Sequence, residues 1–197
     1  RDEGRRARRL DDATIFEWLA GLFAAAPAPE AVADLRRGAA AAAIDRLAAD
    51  PRLAPALRAL SAAIAAGGSD EAAAHRLSRA WGRLFLGLGG PETVPPYESA
   101  FHGDGRLFQA PTAEMDRLLA DHDLAVGAEV REPADHLAIE LALAAHLTAA
   151  DHPDRRRLVG RLAAWVPRFR DALGARDETG LWSAAADLLV VVLDRAT

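Results

Sequence analysis

The sequence predicts an all-α fold, a single globular helical bundle, and three observations support this prediction. Apolar residues recur at spacings of three and four along almost the whole chain, as on one face of an α-helix. No run alternates convincingly between apolar and polar residues, as a half-buried strand would. The length of 197 residues is enough for one domain with a sizeable core. We therefore expect one all-helical domain over residues 1–197.

Four helices are predicted in the first half of the chain. Pro29 and Pro51 suit the first turn of a helix, where an unpaired N–H would otherwise remain. Gly67 and Gly68 end a helix, and Ser69 or Asp70 caps the next. The predicted elements are an N-terminal helix with an apolar stripe at residues 15–23, helices at residues 29–49 and 51–66, and a fourth helix with an apolar face at residues 77–85.

The N-terminus superficially resembles a twin-arginine export signal. The run RRARRL at residues 5–10 precedes an apolar stretch, as in such signals. However, Asp11, Asp12 and Glu17 interrupt the part that should be uncharged. Carboxylates at these positions suit the positive end of a helix dipole. We expect a trimmed, soluble N-terminus that leads into the first helix.

A long loop at about residues 87–110 is predicted to be functional. Turn-forming glycines and prolines break the helical pattern there, and loops of this length in a compact domain are usually functional or disordered. Phe101, Leu107 and Phe108 favour an ordered loop. Beyond it we predict a short helix from Pro111 and further helices at residues 133–149, 153–175 (kinked or split at Pro167) and 178–195.

Composition and charge exclude several classes of function. The absence of cysteine excludes disulfides, thiolate zinc sites and cysteine nucleophiles, and the absence of lysine excludes Schiff bases and P-loops. No apolar run reaches the ~18 residues of a membrane-spanning helix. Residues 91–140 carry eleven acids and three arginines, a net charge of −8 within a total of −5. This segment argues against nucleic acid and suits either a cationic partner or a solvated surface.

The most unusual stretch is EPADHLAIEL at residues 132–141. Glu132 could cap a helix, Pro133 suits its first position, and Asp135 falls at the third, where carboxylates bind free backbone N–H groups. This structural interpretation leaves His136 without a role. His136 and Glu140 lie four residues apart and could share a hydrogen bond or a metal, or act in acid–base chemistry.

Templates for enzymes and metal centres match poorly. The chain has no Glu-x-x-His pair of the kind that di-metal bundles use, and no Gly-x-Ser-x-Gly nucleophile motif. The aromatic residues Trp81, Phe85, Tyr97 and Phe101 bracket Pro95-Pro96 instead. They could pack the loop onto the bundle or line a groove for a peptide. We expect no cofactor and no metal.

Four segments in this order and spacing resemble the TorD/DmsD/NarJ family of redox-enzyme maturation chaperones. They are WGRLFLG at residues 81–87, PPYES at 95–99, PTAE at 111–114 and EPADHLAIEL at 132–141. The resemblance covers roughly residues 75–150 well. It implies an all-α, non-enzymatic, cytoplasmic chaperone that binds the apo form of a molybdoenzyme catalytic subunit through its twin-arginine signal peptide. The peptide-binding residues that it implies are Trp81, Leu84, Phe85, Gly87, Pro96, Tyr97, Ser99, Pro133, Asp135 and His136.

The resemblance also implies homodimers formed by domain swapping in some members, and weak guanine nucleotide binding in some, for which this sequence shows no site. Nucleic acid and membrane insertion are not expected. Two alternatives remain at this point. One is a NarJ-like assembly chaperone for a molybdoenzyme subunit that is not exported. The other is a small helical metal-dependent or acid–base enzyme that uses Asp135, His136 and Glu140.

Overall fold

The computed structural model describes residues 2–87, 90–102, 109–127 and 131–196, and within them the chain is all-α. The one β-type contact there is an isolated bridge between Tyr97 and His136. The helices are α1 (Asp2–Ala24), α2 (Pro29–Arg37), α3 (Ala39–Leu47), α4 (Ala54–Ala65), α5 (Asp70–Phe85), α6 (Ala110–Ala120), α7 (Leu137–Ala149), α8 (Arg155–Gly174) and α9 (Leu181–Ala196), with 3₁₀ turns at Gly90–Glu92 and Glu98–Phe101. The predicted fold class is confirmed.

Contacts divide the chain into two compact units. Unit 1 comprises Arg1–Ala24, Pro96–Trp165 and Ala196–Thr197, and unit 2 comprises Ala25–Pro95 and Val166–Arg195. The division falls inside α8, next to Pro167. The expectation of one domain over residues 1–197 stays a prediction. No helix in the described ranges is long and apolar enough to cross a membrane.

Unit 1 is built around α7, which packs along α1. α7 is apolar on nearly all sides, and a helix of this kind must be buried. Leu137, Leu141 and Ala144 of α7 are fully buried. From α1, Phe16 and Phe23 are fully buried as well. Burial of each such side chain stabilises the fold by about 1.5–3 kcal/mol.

Unit 2 has an aromatic core at the end of α5. The ring of Phe85 packs edge-on against Trp182 of α9, with centroids 5.5 Å apart, and lies 6.4 Å from Phe169 of α8. The side chain of Ser69 accepts a hydrogen bond from Ala72 N (3.3 Å) and caps α5, as predicted. α5 therefore begins and ends in well-defined contacts.

Three predicted helix boundaries in unit 2 are wrong. The helix expected at residues 29–49 is interrupted at Gly38, where a Cβ atom would lie 2.0 Å from Asp34 Oδ1. Residues 51–53 form a turn before α4, so Pro51 does not begin the helix. α9 begins at Leu181 because Asp177 accepts hydrogen bonds from the backbone of Thr179 and Ser183. α8, by contrast, continues through Pro167 without a split.

The predicted loop at about residues 87–110 is partly ordered. Its described part contains both 3₁₀ turns, and Val94 N donates a hydrogen bond to Leu84 O (2.7 Å). Residues 88–89 and 103–108, which include Leu107 and Phe108, lie outside the described residues.

Candidate functional site

The PPYES and EPADHLAIEL segments lie side by side in unit 1. Tyr97 and His136 form the antiparallel bridge. Glu98 N donates to Asp135 O (3.0 Å), and Leu137 N donates to Pro96 O (2.8 Å). The structure therefore brings together six of the predicted site residues, namely Pro96, Tyr97, Ser99, Pro133, Asp135 and His136.

The helix expected to begin at Pro133 begins four residues later, at Leu137. His136 is its N-cap, and Nδ1 of His136 accepts a hydrogen bond from Ala138 N (3.1 Å). Residues 133–136 form a turn that His136 N closes onto Pro133 O (3.0 Å). The bridge to Tyr97 requires extended backbone at His136, so the helix cannot start earlier. The expected capping roles of Glu132 and Asp135 are therefore wrong.

Asp135 holds the neighbouring segments in place. Its side chain is fully buried; Oδ2 accepts from Ser99 N (2.9 Å) and Oδ1 accepts from Thr112 Oγ1 (2.7 Å). Both carboxylate oxygens are thus used within unit 1. Ser99 is also buried, and its contribution to this site is the backbone N–H that donates to Asp135.

Tyr97, Glu132 and His136 form a polar group in unit 1, in which Glu132 is exposed and His136 is buried. The Tyr97 hydroxyl donates to Glu132 Oε2 (2.6 Å), and its ring packs edge-on against the His136 imidazole, with centroids 5.0 Å apart. Burial lowers the pKa of His136, although the charges of Glu132 and Asp135 partly oppose this. Because Nδ1 is an acceptor, the neutral imidazole carries its proton on Nε2.

An apolar groove of about 660 Å³ lies beside this group. One wall is α1 at Ala20, Gly21 and Ala24, and the opposite wall is formed by the chain at the end of α6, from Leu119 and Leu124 to Gly127. Residues of α7 from His136 to His146, notably Ile139, complete the lining. Most lining residues are apolar, and the titratable ones are Glu132, His136 and His146. The volume lies in the ~300–1,000 Å³ range of ligand pockets.

The groove is open where α1 passes it. Gly21 is exposed, and a Cβ atom built there meets nothing within 4 Å. Leu124 leaves 37% of its surface exposed, and Ile139 is half-buried. Exposed apolar surface next to a carboxylate is an arrangement that suits an apolar ligand with a positive charge.

A buried ionic cluster beneath the site was not foreseen from the sequence. Arg161 of α8 contacts Glu98, donates to Glu114 Oε2 (2.8 Å) and Pro111 O (2.6 Å), and has its Nε 3.5 Å from Glu140 Oε1. Glu140 is fully buried and accepts from Trp165 Nε1 (3.1 Å). Burial, then the charge of Glu98, raises the pKa of Glu140 well above its ordinary value, while Arg161 opposes this.

The cluster shows that part of the negative charge of the acidic segment, residues 91–140, is buried. Glu98, Asp135 and Glu140 are buried and bonded within unit 1, so they do not present charge to a partner. The acids that remain exposed in the described part of the segment are Glu92, Glu114, Asp116, Asp121, Asp123 and Glu132. Steering of a cationic partner would therefore depend on fewer carboxylates than the net charge of −8 indicates.

The remaining four predicted site residues belong to unit 2. Leu84 is fully buried and Phe85 is 7% exposed, so both are core residues there. Trp81 is half-buried, and its ring centroid lies 6.1 Å from that of Phe85. Gly87 is exposed with φ +74°, a conformation that favours glycine. A structural role accounts for three of these four residues, Leu84, Phe85 and Gly87.

Asp135, His136 and Glu140 have separate partners. Asp135 bonds to Ser99 and Thr112, Nδ1 of His136 to Ala138, and Glu140 to Trp165. The structure thus gives the enzyme alternative no convergent acid–base group. Because the bonds of Asp135 and Glu140 are long-range, only the spacing of His136 and Glu140 was visible in the sequence.

Comparison with known proteins identifies the relatives of this chain. The family model described as nitrate reductase delta subunit matches residues 47–175. Chaperone protein TorD of Shewanella loihica is 32% identical over 184 residues, which cover 89% of this chain and 86% of that protein. TorD of Aliivibrio fischeri is 27% identical, and the match covers 92% of this chain and 90% of that protein. TorD of Escherichia coli is 29% identical, and the match covers 92% of this chain and 92% of that protein.

These relatives are named chaperones, which confirms the prediction of a chaperone rather than an enzyme. The family match extends over more than half of the chain, and the Shewanella relative covers most of it. The chain therefore belongs to the family of the nitrate reductase delta subunit and the TorD chaperones.

Proposed function

We propose that this protein is a cytoplasmic chaperone that binds the N-terminal twin-arginine signal peptide of a molybdoenzyme catalytic subunit. It would hold the apo form of this subunit until the cofactor is inserted and export can begin. Family membership supports the class of function. The observation that carries the binding proposal is the open apolar groove with Glu132 and His136 at one side.

The groove offers what each part of such a peptide needs. The apolar segment of the peptide would pack against Ile139, Leu124 and the small residues of α1. An arginine of the peptide would form an ion pair with Glu132, which also accepts a hydrogen bond from the Tyr97 hydroxyl. The Nε2–H group of His136 would donate a hydrogen bond to a peptide carbonyl. Apolar burial would supply most of the affinity, and the carboxylate would mainly steer association.

Titration calorimetry with a twin-arginine peptide tests the role of Glu132. For Glu132→Gln we expect binding about two- to fivefold weaker, because an exposed ion pair contributes up to about 1 kcal/mol. The affinity should also depend less on salt. The control is Glu17→Gln, which removes an exposed charge of α1 outside the groove lining. Equal affinity of both variants would refute pairing with Glu132.

A NarJ-like role, with a client that is not exported, is the second candidate, because the matching family model is described as nitrate reductase delta subunit. In that case the groove would bind a related N-terminal peptide without the arginine pair. Replacing both arginines of the test peptide by glutamine separates the two roles, since only the export role predicts a loss of affinity. Domain-swapped homodimers stay a prediction, to be checked by light scattering.

A further inference from the structure

Helices α6 and α7 end in the same way and place two histidines together. Asp123 (φ +55°) and Asp151 (φ +53°) adopt the left-handed conformation that ends many helices. Leu124 N donates to Leu119 O, and His152 N donates to Leu147 O, each at 2.9 Å. The imidazole rings of His122 and His152 meet edge-to-face, with centroids 4.6 Å apart. The C-terminal ends of α6 and α7 thus fix the positions of these rings.

The carboxylate of Asp154 lies against both rings. Its Oδ2 is 3.2 Å from His122 Nε2 and 3.7 Å from His152 Nδ1. One ligand atom from each of the three residues falls within 4.8 Å of the others. All three residues belong to unit 1.

The hydrogen bonding of this cluster is incomplete. The His122 side chain is 10% exposed, and within the described residues no hydrogen bond reaches its buried Nε2 despite the nearby carboxylate. Nδ1 of His152 accepts a hydrogen bond from Asp154 N (3.2 Å), so it carries no proton and cannot donate to Oδ2; a metal ion at this nitrogen would replace that hydrogen bond. The unprotonated Nδ1 of His152 and Oδ2 of Asp154 are thus two acceptors 3.7 Å apart, which is unfavourable unless a proton or a cation lies near both.

We propose that His122, His152 and Asp154 bind a divalent transition-metal ion of the zinc class. Two imidazoles and one carboxylate form a ligand set that zinc uses, with the fourth position open to water. Ligand atoms around tetrahedral zinc lie about 3.3 Å apart at bond lengths near 2.0 Å. The His122–Asp154 distance already matches this spacing, and Nδ1 of the half-exposed His152, which lies 3.7 Å from Oδ2, would have to move closer.

Bound metal would join two connections that are far apart in the sequence. His122 lies two residues before the segment 124–127, which forms a wall of the groove, while His152 and Asp154 lie between α7 and α8. The ion would tie the groove wall to the end of α7 and stabilise unit 1 by mass action. This inference does not depend on which peptide, if any, the groove binds.

The test uses the full chain, freed of metal with a chelator and titrated with zinc(II) chloride alone. We expect one ion per chain with a Kd below about 100 μM, a rise in Tm, and proton release. His122→Ala, His152→Ala and Asp154→Asn should each weaken binding at least about tenfold. Cobalt(II) should give the visible absorption of a four-coordinate site in the wild type, and this absorption should be lost in the variants.

The matched control is His75→Ala, since His75 is exposed on α5 in unit 2. Its affinity for zinc should equal that of the wild type. If His122→Ala fails to fold, His152→Ala still decides, because the His152 side chain is 40% exposed. A Kd weaker than about 100 μM, or variants that bind zinc as tightly as the wild type, would overturn the proposal.

Discussion

His136 has a structural position in unit 1 and also lines the groove. Nδ1 caps α7 at Ala138, which is a structural task, while the ring also lines the groove beside Glu132. The partners of the Asp135 side chain in the described part of the chain, Ser99 and Thr112, are both internal to unit 1. Substitutions at Asp135 will therefore report on folding, whereas substitutions at His136 can separate folding from binding.

We expect His136→Ala to lower the free energy of unfolding by about 1 kcal/mol, the usual effect of losing an N-cap. His136→Asn should retain most of the stability because asparagine caps helices well. Both variants should bind the signal peptide more weakly, since both lack the Nε2 donor. Denaturant unfolding and calorimetry on the same samples measure the two effects. Equal destabilisation by Ala and Asn would contradict the capping role.

Glu140 makes the stability of the protein depend on pH. Burial raises the pKa of Glu140 above its unfolded value of 4.5, so the folded state keeps the proton longer than the unfolded chain does. Its contribution to stability is therefore largest below pH 4.5 and decreases as pH rises towards the folded pKa. Glu140→Gln remains neutral and can still accept a hydrogen bond from Trp165.

Relative to the wild type, Glu140→Gln should gain stability as pH rises from about 5 to 8, because the wild-type fold then has to ionise a buried carboxyl group. Denaturant unfolding across this range measures the trend. Glu17→Gln, at an exposed position of α1, shows how much of it comes from net charge alone. A Gln variant that loses stability relative to the wild type towards pH 8 would mean that Arg161 keeps Glu140 charged.

At the scale of the elements, the sequence predicted the helices better than their ends. The apolar stripes and the Ser69 cap are local signals, and they were sufficient for α1 and α5. The start of α7 was predicted wrongly because the bridge from Tyr97 to His136 joins distant segments. The role of Arg161 could not be predicted from the sequence for the same reason, because its partners are distant in the chain and lie on three other elements. The motifs showed where in the sequence the site lies, but its hydrogen bonds could be identified only in the folded structure.

The face of α1 that carries Gly21 can be altered without affecting the core. A Cβ atom meets nothing within 4 Å at Gly21, nor at Gly160 on α8, which lies outside the groove lining. Leucine at either position should raise the free energy of unfolding by about 0.5–1 kcal/mol, because glycine is a poor helix former. Thermal unfolding of the two variants measures this. Destabilisation by Gly21→Leu alone would mean that the groove closes in solution.

For the whole molecule, the family motifs divide between the two units. The WGRLFLG segment supplies core residues of unit 2, and the PPYES and EPADHLAIEL segments meet in unit 1 beside the groove. Because Glu132, His136 and Ile139 of the EPADHLAIEL segment line the apolar groove, we propose that unit 1 binds the peptide. The first segment is then needed mainly for a stable unit 2, through Leu84, Phe85 and their aromatic neighbours.

The most direct test of this assignment is the affinity for a twin-arginine signal peptide in three proteins: wild type, Gly21→Leu and Gly160→Leu. The Gly21 variant places a side chain in the groove, so calorimetry should show binding at least about tenfold weaker, a loss of 1.4 kcal/mol. The wild type and the Gly160 variant should bind equally. Unchanged affinity in Gly21→Leu, with the wild type binding tightly, would contradict binding in this groove.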